Sequence, residues 1–201
     1  MGNKMGVLGG TFDPVHMGHL IMAEYIRERF SLEKVIFMPS ANPPHKKFQN
    51  VTNSSSRYDM VGLAIEDNQD FTVSDMELKR AGNSYTVDTL KELKGMYRFD
   101  PIYFIIGADV VFDLLSWRDY KNVFRMCEFI AVRRTGYNDE ALQDRIKMLK
   151  NEYKAKMNLT DCPSIDISSS LIRDRVKAGR SIKYLVPPKV EEYILENRLY
   201  L

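Results

Sequence analysis

The segment Gly9-Gly10-Thr11-Phe12-Asp13-Pro14-Val15-His16-Met17-Gly18-His19 gathers residue types that handle phosphate. It follows the apolar pair Val7-Leu8 and runs into a helical pattern, so it reads as a strand-to-helix turn. Glycines in such a turn let a polyanion approach the main chain. The helix start beyond Gly18 offers free N–H groups and the positive end of a dipole. His16 and His19, three residues apart, can face the same phosphates, and a histidine that donates to phosphate is favoured toward its cationic form. The plain alternative is two unrelated surface or capping histidines. The spacing fits neither a Walker loop nor the dinucleotide fingerprint.

Four further clusters stand out. Pro43-Pro44-His45-Lys46 places two potential cations on a stiffened backbone, or is an ordinary solvated basic loop. Ser84-Tyr85-Thr86 begins a helix that Ser84 can cap. Ile105-Ile106-Gly107-Ala108-Asp109 puts a carboxylate just past a strand, where it can accept from ribose hydroxyls. Trp117 can stack on an aromatic ligand or pack in the core. Ser168-Ser169-Ser170 ahead of Arg173 offers hydroxyls, helix-start N–H groups and a forked cation, an anion site or a simple cap.

These residues need rigid elements to hold them. Apolar runs predict strands at Val7-Leu8, Val35–Met38 (stopped by Pro39), Phe71–Val73, Ile102–Ile106 and Phe129–Val132. Helices are expected over 18–30, with Met22, Ile26 and Phe30 on one face, and from the Ser54–Ser56 run to about 68. Others are expected from Ser84 through Leu93, over 139–157 with Ile146, Leu149 and Tyr153 facing inward, and over 165–178 and 187–196 behind a short strand. Alternating helices and continuous apolar strands predict an α/β fold, a doubly wound, mostly parallel sheet with helices on both faces. Ligands in such folds bind outside the C-terminal ends of the strands, where the Gly9-Gly10 and Gly107 turns fall.

The chain has 201 residues, a length suited to one domain over 1–201. Lys and Arg total 29 against 27 Asp and Glu, a near-balance that supports neither a nucleic-acid coat nor a polybasic membrane anchor. No apolar run approaches the length of a membrane span, and Met1–Gly6 has no signal-peptide pattern. Cys127 and Cys162 make neither a disulfide framework nor a zinc cluster, and Cys127 reads as core. A reduced, cytoplasmic protein is expected. All three histidines, His16, His19 and His45, lie in the first 45 residues.

The first segment resembles the HxGH motif of the nucleotidyltransferase superfamily. With the other four clusters, in order, the chain more closely resembles bacterial nicotinate-mononucleotide adenylyltransferase over 5–136 and 164–201. The resemblance implies a Rossmann-like fold and adenylyl transfer from ATP to nicotinate mononucleotide, giving nicotinate adenine dinucleotide and pyrophosphate. It implies His16, His19, Lys46 and Arg173 as the groups that meet leaving-group charge. Gly9, Gly10, Thr11, Phe12, Gly107, Asp109, Arg134, Ser168 and Ser169 would bind ATP. Thr86 at its helix start would receive the nicotinate carboxylate, Trp117 would lie against the ring, and His45 would sit on the mononucleotide side. Mg²⁺ would ride in with ATP, with no dedicated metal site. Two departures stand: Ser170 replaces a threonine, and Arg133-Arg134-Thr135-Gly136 replaces Arg-Pro-Gly. A phosphopantetheine adenylyltransferase, a nucleotide sensor without turnover and a tRNA-synthetase fragment are the competing readings. A homo-oligomer is left open.

Overall fold

A computed structural model describes residues 4–42, 51–97, 101–133, 139–163 and 165–201. Pro43, Pro44, His45, Lys46 and Arg134 lie outside the described residues. Six strands form one sheet: β1 (Met5–Gly10), β2 (Lys34–Pro39), β3 (Phe71–Val73), β4 (Ile102–Gly107), β5 (Glu128–Arg133) and β6 (Met157–Asp161). Their order is β3-β2-β1-β4-β5-β6, and every pairing is parallel. Val7 of β1 lies opposite Ile36 on one side and Phe104 on the other. Parallel neighbours need crossovers, which the helices supply: α1 (Met17–Phe30), α2 (Ser54–Ile65), α3 (Met76–Lys79), α4 (Thr86–Met96), α5 (Tyr120–Met126), α6 (Asp139–Tyr153), α7 (Ser169–Lys177) and α8 (Pro188–Glu196).

Alternation along the strands sorts the core into two layers. Met5, Val7, Phe104, Ile106, Phe129 and Ala131 pack with Leu90 and Leu93 of α4 and with Leu142, Ile146 and Leu149 of α6. Leu8, Phe37, Tyr103, Ile105 and Ile130 face the opposite way, onto Ile26 of α1, Met60 and Val61 of α2, Ile172 of α7 and Ile194 of α8. Both faces of the sheet are therefore covered, as the continuous apolar runs require. On α1 the helical stripe buries Ala23 and Ile26 fully, with Met22 and Phe30 only partly covered. Cys127 is a core residue whose burial pushes its thiol far up, so it stays protonated and inert.

Local details differ from the expected pattern for identifiable reasons. The cap of α2 is Asn53, whose side chain accepts from the Ser56 N–H at 2.8 Å, and the helix stops at Ile65. The cap position of α4 is Tyr85, one residue beyond the expected Ser84, whose hydroxyl accepts from the main-chain N–H of Ala41 at 3.0 Å. Helix α6 ends at Tyr153, since Lys154 turns into the left-handed region (φ 56°) and β6 begins at Met157. Helices α3 and α5 are too short to display a helical period in sequence. Among the described residues no helix is long and apolar enough to cross a membrane.

Candidate active site

Strands β1 and β4 are neighbours, and the strand order reverses between them. Their C-terminal ends, Gly10 and Gly107, flank the crevice where doubly wound folds bind ligands. Beyond Gly10 the chain enters a tight turn. Phe12 adopts a left-handed backbone (φ 50°), unusual for a bulky residue, and swings its ring back beneath the strand end. A Cβ at position 10 would lie 2.8 Å from that ring, so only glycine fits there. The Phe12 ring is 2% exposed and packs against Phe37, so what it can offer a ligand is main chain.

The same ring meets His19 edge-on at 5.0 Å, and His19 stacks on His16 with centroids 3.7 Å apart. His16 occupies the N-cap position of α1 and is buried, while His19 is partly exposed in the first turn. A Cβ on Gly18 would come within 3.1 Å of His16 Nδ1, so a side chain there would press on the His16 ring. The main-chain N–H of His16 donates to His19 Nδ1 at 3.2 Å. This contact fixes the orientation of the His19 ring in the first turn of α1.

Helix α7 is brought against this turn. Ser169 donates its hydroxyl to Pro14 O at 2.9 Å, and Arg173 Nη1 donates to Asp13 O at 2.8 Å. Ser168 is the cap of α7, accepting from Leu171 N–H at 3.1 Å, and its hydroxyl pairs with that of Ser170 at 3.0 Å. The simple-cap reading of Ser168 is thus correct as far as it goes, and Arg173 retains further guanidinium donors beyond the one spent on Asp13.

Three residues that sequence reasoning missed hold the turn from behind. Asp13, 4% exposed, accepts from the Tyr200 hydroxyl at 2.8 Å and from Thr52 N–H at 3.4 Å. Arg57, 1% exposed, donates to Thr11 O at 2.6 Å, Ser40 O at 2.7 Å, Thr52 O at 2.9 Å and Ala41 O at 3.2 Å. Burial pulls the Arg57 guanidinium down from its ordinary pKa, and the Asp13 charge opposes that shift. One guanidinium thereby joins the exit of β1 to both flanks of segment 43–50. The signal was available: Arg57 falls on the same helical stripe as the buried Met60, Val61 and Ala64.

On the β4 side, Gly107 leads into a 3₁₀ turn over Ala108–Phe112. Asp109 Oδ1 there is buried and has no hydrogen-bond partner in the described structure, an acceptor available to a ligand hydroxyl. The Ser40 hydroxyl beyond β2 is similarly buried and unpartnered, and nothing in the sequence marks it. Thr86 opens α4; Tyr85 makes no side-chain cap, and Asp88 N–H turns to Tyr85 O at 3.0 Å, so among the described residues the N–H groups of Thr86 and Val87 are the ones left for an anion. Trp117 is half-buried, meeting Phe104 at 6.0 Å and Phe129 at 6.3 Å in edge contacts, so core packing accounts for part of its surface. Arg118 lies over the Tyr85 ring at 4.6 Å, which ties the Trp117 segment to the start of α4. Behind Thr86, Glu77 is buried and accepts from Thr89 Oγ1 at 2.6 Å.

The structure thus gathers His16, His19, Ser168, Ser169 and Arg173 around the turn at Gly9–Phe12, and links Trp117 to the α4 start beside Thr86. Among the described residues no three His, Cys, Asp or Glu are grouped to hold a metal ion. A separate groove of about 390 Å³ lies by Lys156, at the opposite ends of the strands, and holds none of these residues.

Residues 7–175 match the cytidylyltransferase-like family model. The chain is 46% identical over 197 residues to the probable nicotinate-nucleotide adenylyltransferase of Desulfitobacterium hafniense (strain DSM 10664 / DCB-2), covering 98% of this chain and 95% of that protein. The corresponding protein of Thermoanaerobacter sp. (strain X514) is 43% identical, covering 98% and 94%. The fold matches Plasmodium falciparum nicotinic acid mononucleotide adenylyltransferase complexed with NaAD, with a TM-score of 0.80 at 21% identity, over 98% of this chain and 97% of that one. With a six-stranded parallel sheet of the same architecture and sequence kinship along nearly its whole length, the chain belongs to the nicotinate-nucleotide adenylyltransferase family.

Proposed function

We propose that the chain, acting as one domain over residues 1–201, transfers the adenylyl group of ATP to nicotinate mononucleotide. The products are nicotinate adenine dinucleotide and pyrophosphate, a step of NAD biosynthesis. The observation that carries this reading is the convergence of the stacked His16–His19 pair and Arg173 on one turn after β1. The mononucleotide phosphate oxygen attacks the α-phosphorus of ATP, and the bond from that phosphorus to the β-phosphate bridging oxygen breaks. The nucleophile is already ionised, so the reaction needs no general base and no covalent enzyme intermediate. Catalysis then rests on alignment of the two substrates and on donors aimed at the departing pyrophosphate.

His19 supplies an imidazole N–H to that charge, its ring orientation supported by the main-chain bond from His16 to Nδ1. His16, Arg173 and the N–H groups at the α1 start act on the same phosphates, with Gly9, Gly10, Thr11 and the Phe12 main chain lining the approach. Ser168 and Ser169 hold the α7 start in place beside them. Asp109 accepts from a nucleotide hydroxyl through its buried, unpartnered oxygen. The nicotinate carboxylate is received at the uncapped α4 start at Thr86, where the helix dipole favours an acid over a neutral amide. The exposed part of Trp117 covers the ring. Lys46, His45 and Arg134 are assigned by the family pattern alone, to phosphate, mononucleotide and nucleotide contacts respectively. Mg²⁺ would come with ATP, held mainly by the phosphates rather than by a dedicated carboxylate set, and would supply charge neutralisation there.

The test is pyrophosphate release from ATP with nicotinate mononucleotide, nicotinamide mononucleotide and phosphopantetheine offered in parallel. Fastest release with the nicotinate acceptor is expected. Preference for phosphopantetheine, or no release with any acceptor, would refute the reading.

A further inference from the structure

We propose that Tyr200 is a positioning residue for adenylyl transfer, its hydroxyl holding the Asp13 carboxylate and thereby the phosphate turn that carries His16 and His19. The proposal rests on the adenylyl-transfer reading above. Tyr200 lies 187 residues downstream of Asp13, yet its hydroxyl donates to Asp13 Oδ1 at 2.8 Å. The chain is bent to deliver it: Arg198 (φ 49°) and Tyr200 (φ 67°) both occupy the left-handed region, which side-chain-bearing residues seldom adopt. Left-handed non-glycine residues persist where the surrounding structure demands them. Burial, with the Asp13 charge next, pushes the Tyr200 hydroxyl far up, so it keeps its proton and acts as a donor across the working range of pH.

Asp13 is a junction. Besides Tyr200, its carboxylate takes the Thr52 N–H, and its carbonyl takes Arg173. The carbonyl of the next residue, Pro14, takes Ser169. The turn is therefore fixed to three separate parts of the chain through two consecutive residues, three and two positions before His16. Removal of the Tyr200 hydroxyl leaves a carboxylate that is 4% exposed short of one partner, and a buried charge in that condition shifts to find another. The shift moves the donors that meet the leaving group, while the mononucleotide side at Thr86 and Trp117 is untouched. A displacement on the ångström scale at reacting groups costs up to about 100-fold in rate.

The experiment compares Tyr200→Phe with Tyr193→Phe. Tyr193 also donates its hydroxyl to a carboxylate, Asp59 at 3.1 Å, but on the exposed face of α2. Tyr200→Phe is expected to lower kcat by about 10-fold or more, with KM for nicotinate mononucleotide within about twofold of the parent. Tyr193→Phe keeps the parental kcat. Amide hydrogen exchange is measured on the same proteins without substrate. Protection over residues 11–19 falls in Tyr200→Phe and not in Tyr193→Phe. Unchanged kcat in Tyr200→Phe, equal losses in both variants, or unchanged protection in the turn would overturn the proposal. If the parent protein makes no dinucleotide, the functional reading fails, and the exchange measurement still decides whether Tyr200 holds the turn.

Discussion

Replacement of Arg57 by Met separates a structural cation from an ordinary surface one. Arg57 is 1% exposed and its guanidinium reaches four main-chain carbonyls, those of Thr11, Ser40, Ala41 and Thr52. Hydrogen bonds that involve a charged group contribute about 1.5–3 kcal/mol each. Part of that is offset, because the guanidinium no longer has to be desolvated and Met refills much of the volume. A buried acceptor left unsatisfied costs about 1–3 kcal/mol, so with several carbonyls affected at once Arg57→Met should cost about 3–5 kcal/mol net. For a chain of this size each kcal/mol lowers Tm by about 2–4 °C, so a drop of about 6–20 °C is expected. Urea unfolding at constant m-value and a thermal melt measure it. Arg57→Lys keeps the charge, but a single ammonium cannot span carbonyls on three segments, and its stability should lie between the two. A Met variant within about 1 kcal/mol of the parent would refute the reasoning, because it would mean those carbonyls need no common donor.

Three further outcomes follow from the site. His19→Ala should lower kcat by about 100-fold or more with the fold retained, as loss of a preorganised donor does, and near-normal turnover of a folded variant would contradict the assignment. Trp117→Ala should raise KM for nicotinate mononucleotide more than KM for ATP in steady-state assays, and an effect confined to ATP would count against ring contact. Burial raises the Glu77 carboxyl above its ordinary value of 4.5, partly opposed by hydrogen bonds from Thr89 and Ser84. The folded protein therefore keeps a proton that the unfolded chain has released, and stability contributed at low pH is lost as pH rises from 4.5 through the folded value. Glu77→Gln removes that loss, so its stability relative to the parent should improve between pH 4 and pH 7, as chemical unfolding at several pH values will measure. A pH-independent difference would exclude the mechanism.

What the sequence made legible is what short-range pattern encodes. The strands follow from apolar runs such as Ile102–Ile106, and the phosphate turn from glycines and histidines clustered within eleven residues. The order of the strands is a long-range property, and no local pattern places β4 beside β1. The cap of α4 differs from the sequence pattern because the helix begins one residue later, behind Tyr85, while the Ser84 hydroxyl reaches the distant Ala41 N–H. The orientation of the His19 ring depends on a main-chain bond that exists only once the turn is folded. Arg57 betrayed itself by its place on an apolar stripe, whereas Tyr200 carries no local sign of its contact with Asp13.

The partners of Asp13 also set an order of assembly during synthesis. The turn emerges well ahead of these partners: Arg173 follows Asp13 by 160 residues and Tyr200 by 187. Until those residues leave the ribosome, the buried carboxylate and its carbonyl lack two of the donors that hold them. The strand–turn–helix unit can form early from local contacts, yet its loops through α7 and the Tyr200 segment close only late, and closure across such spans is slow. A chain halted after β6 should therefore present the sheet without a finished phosphate turn.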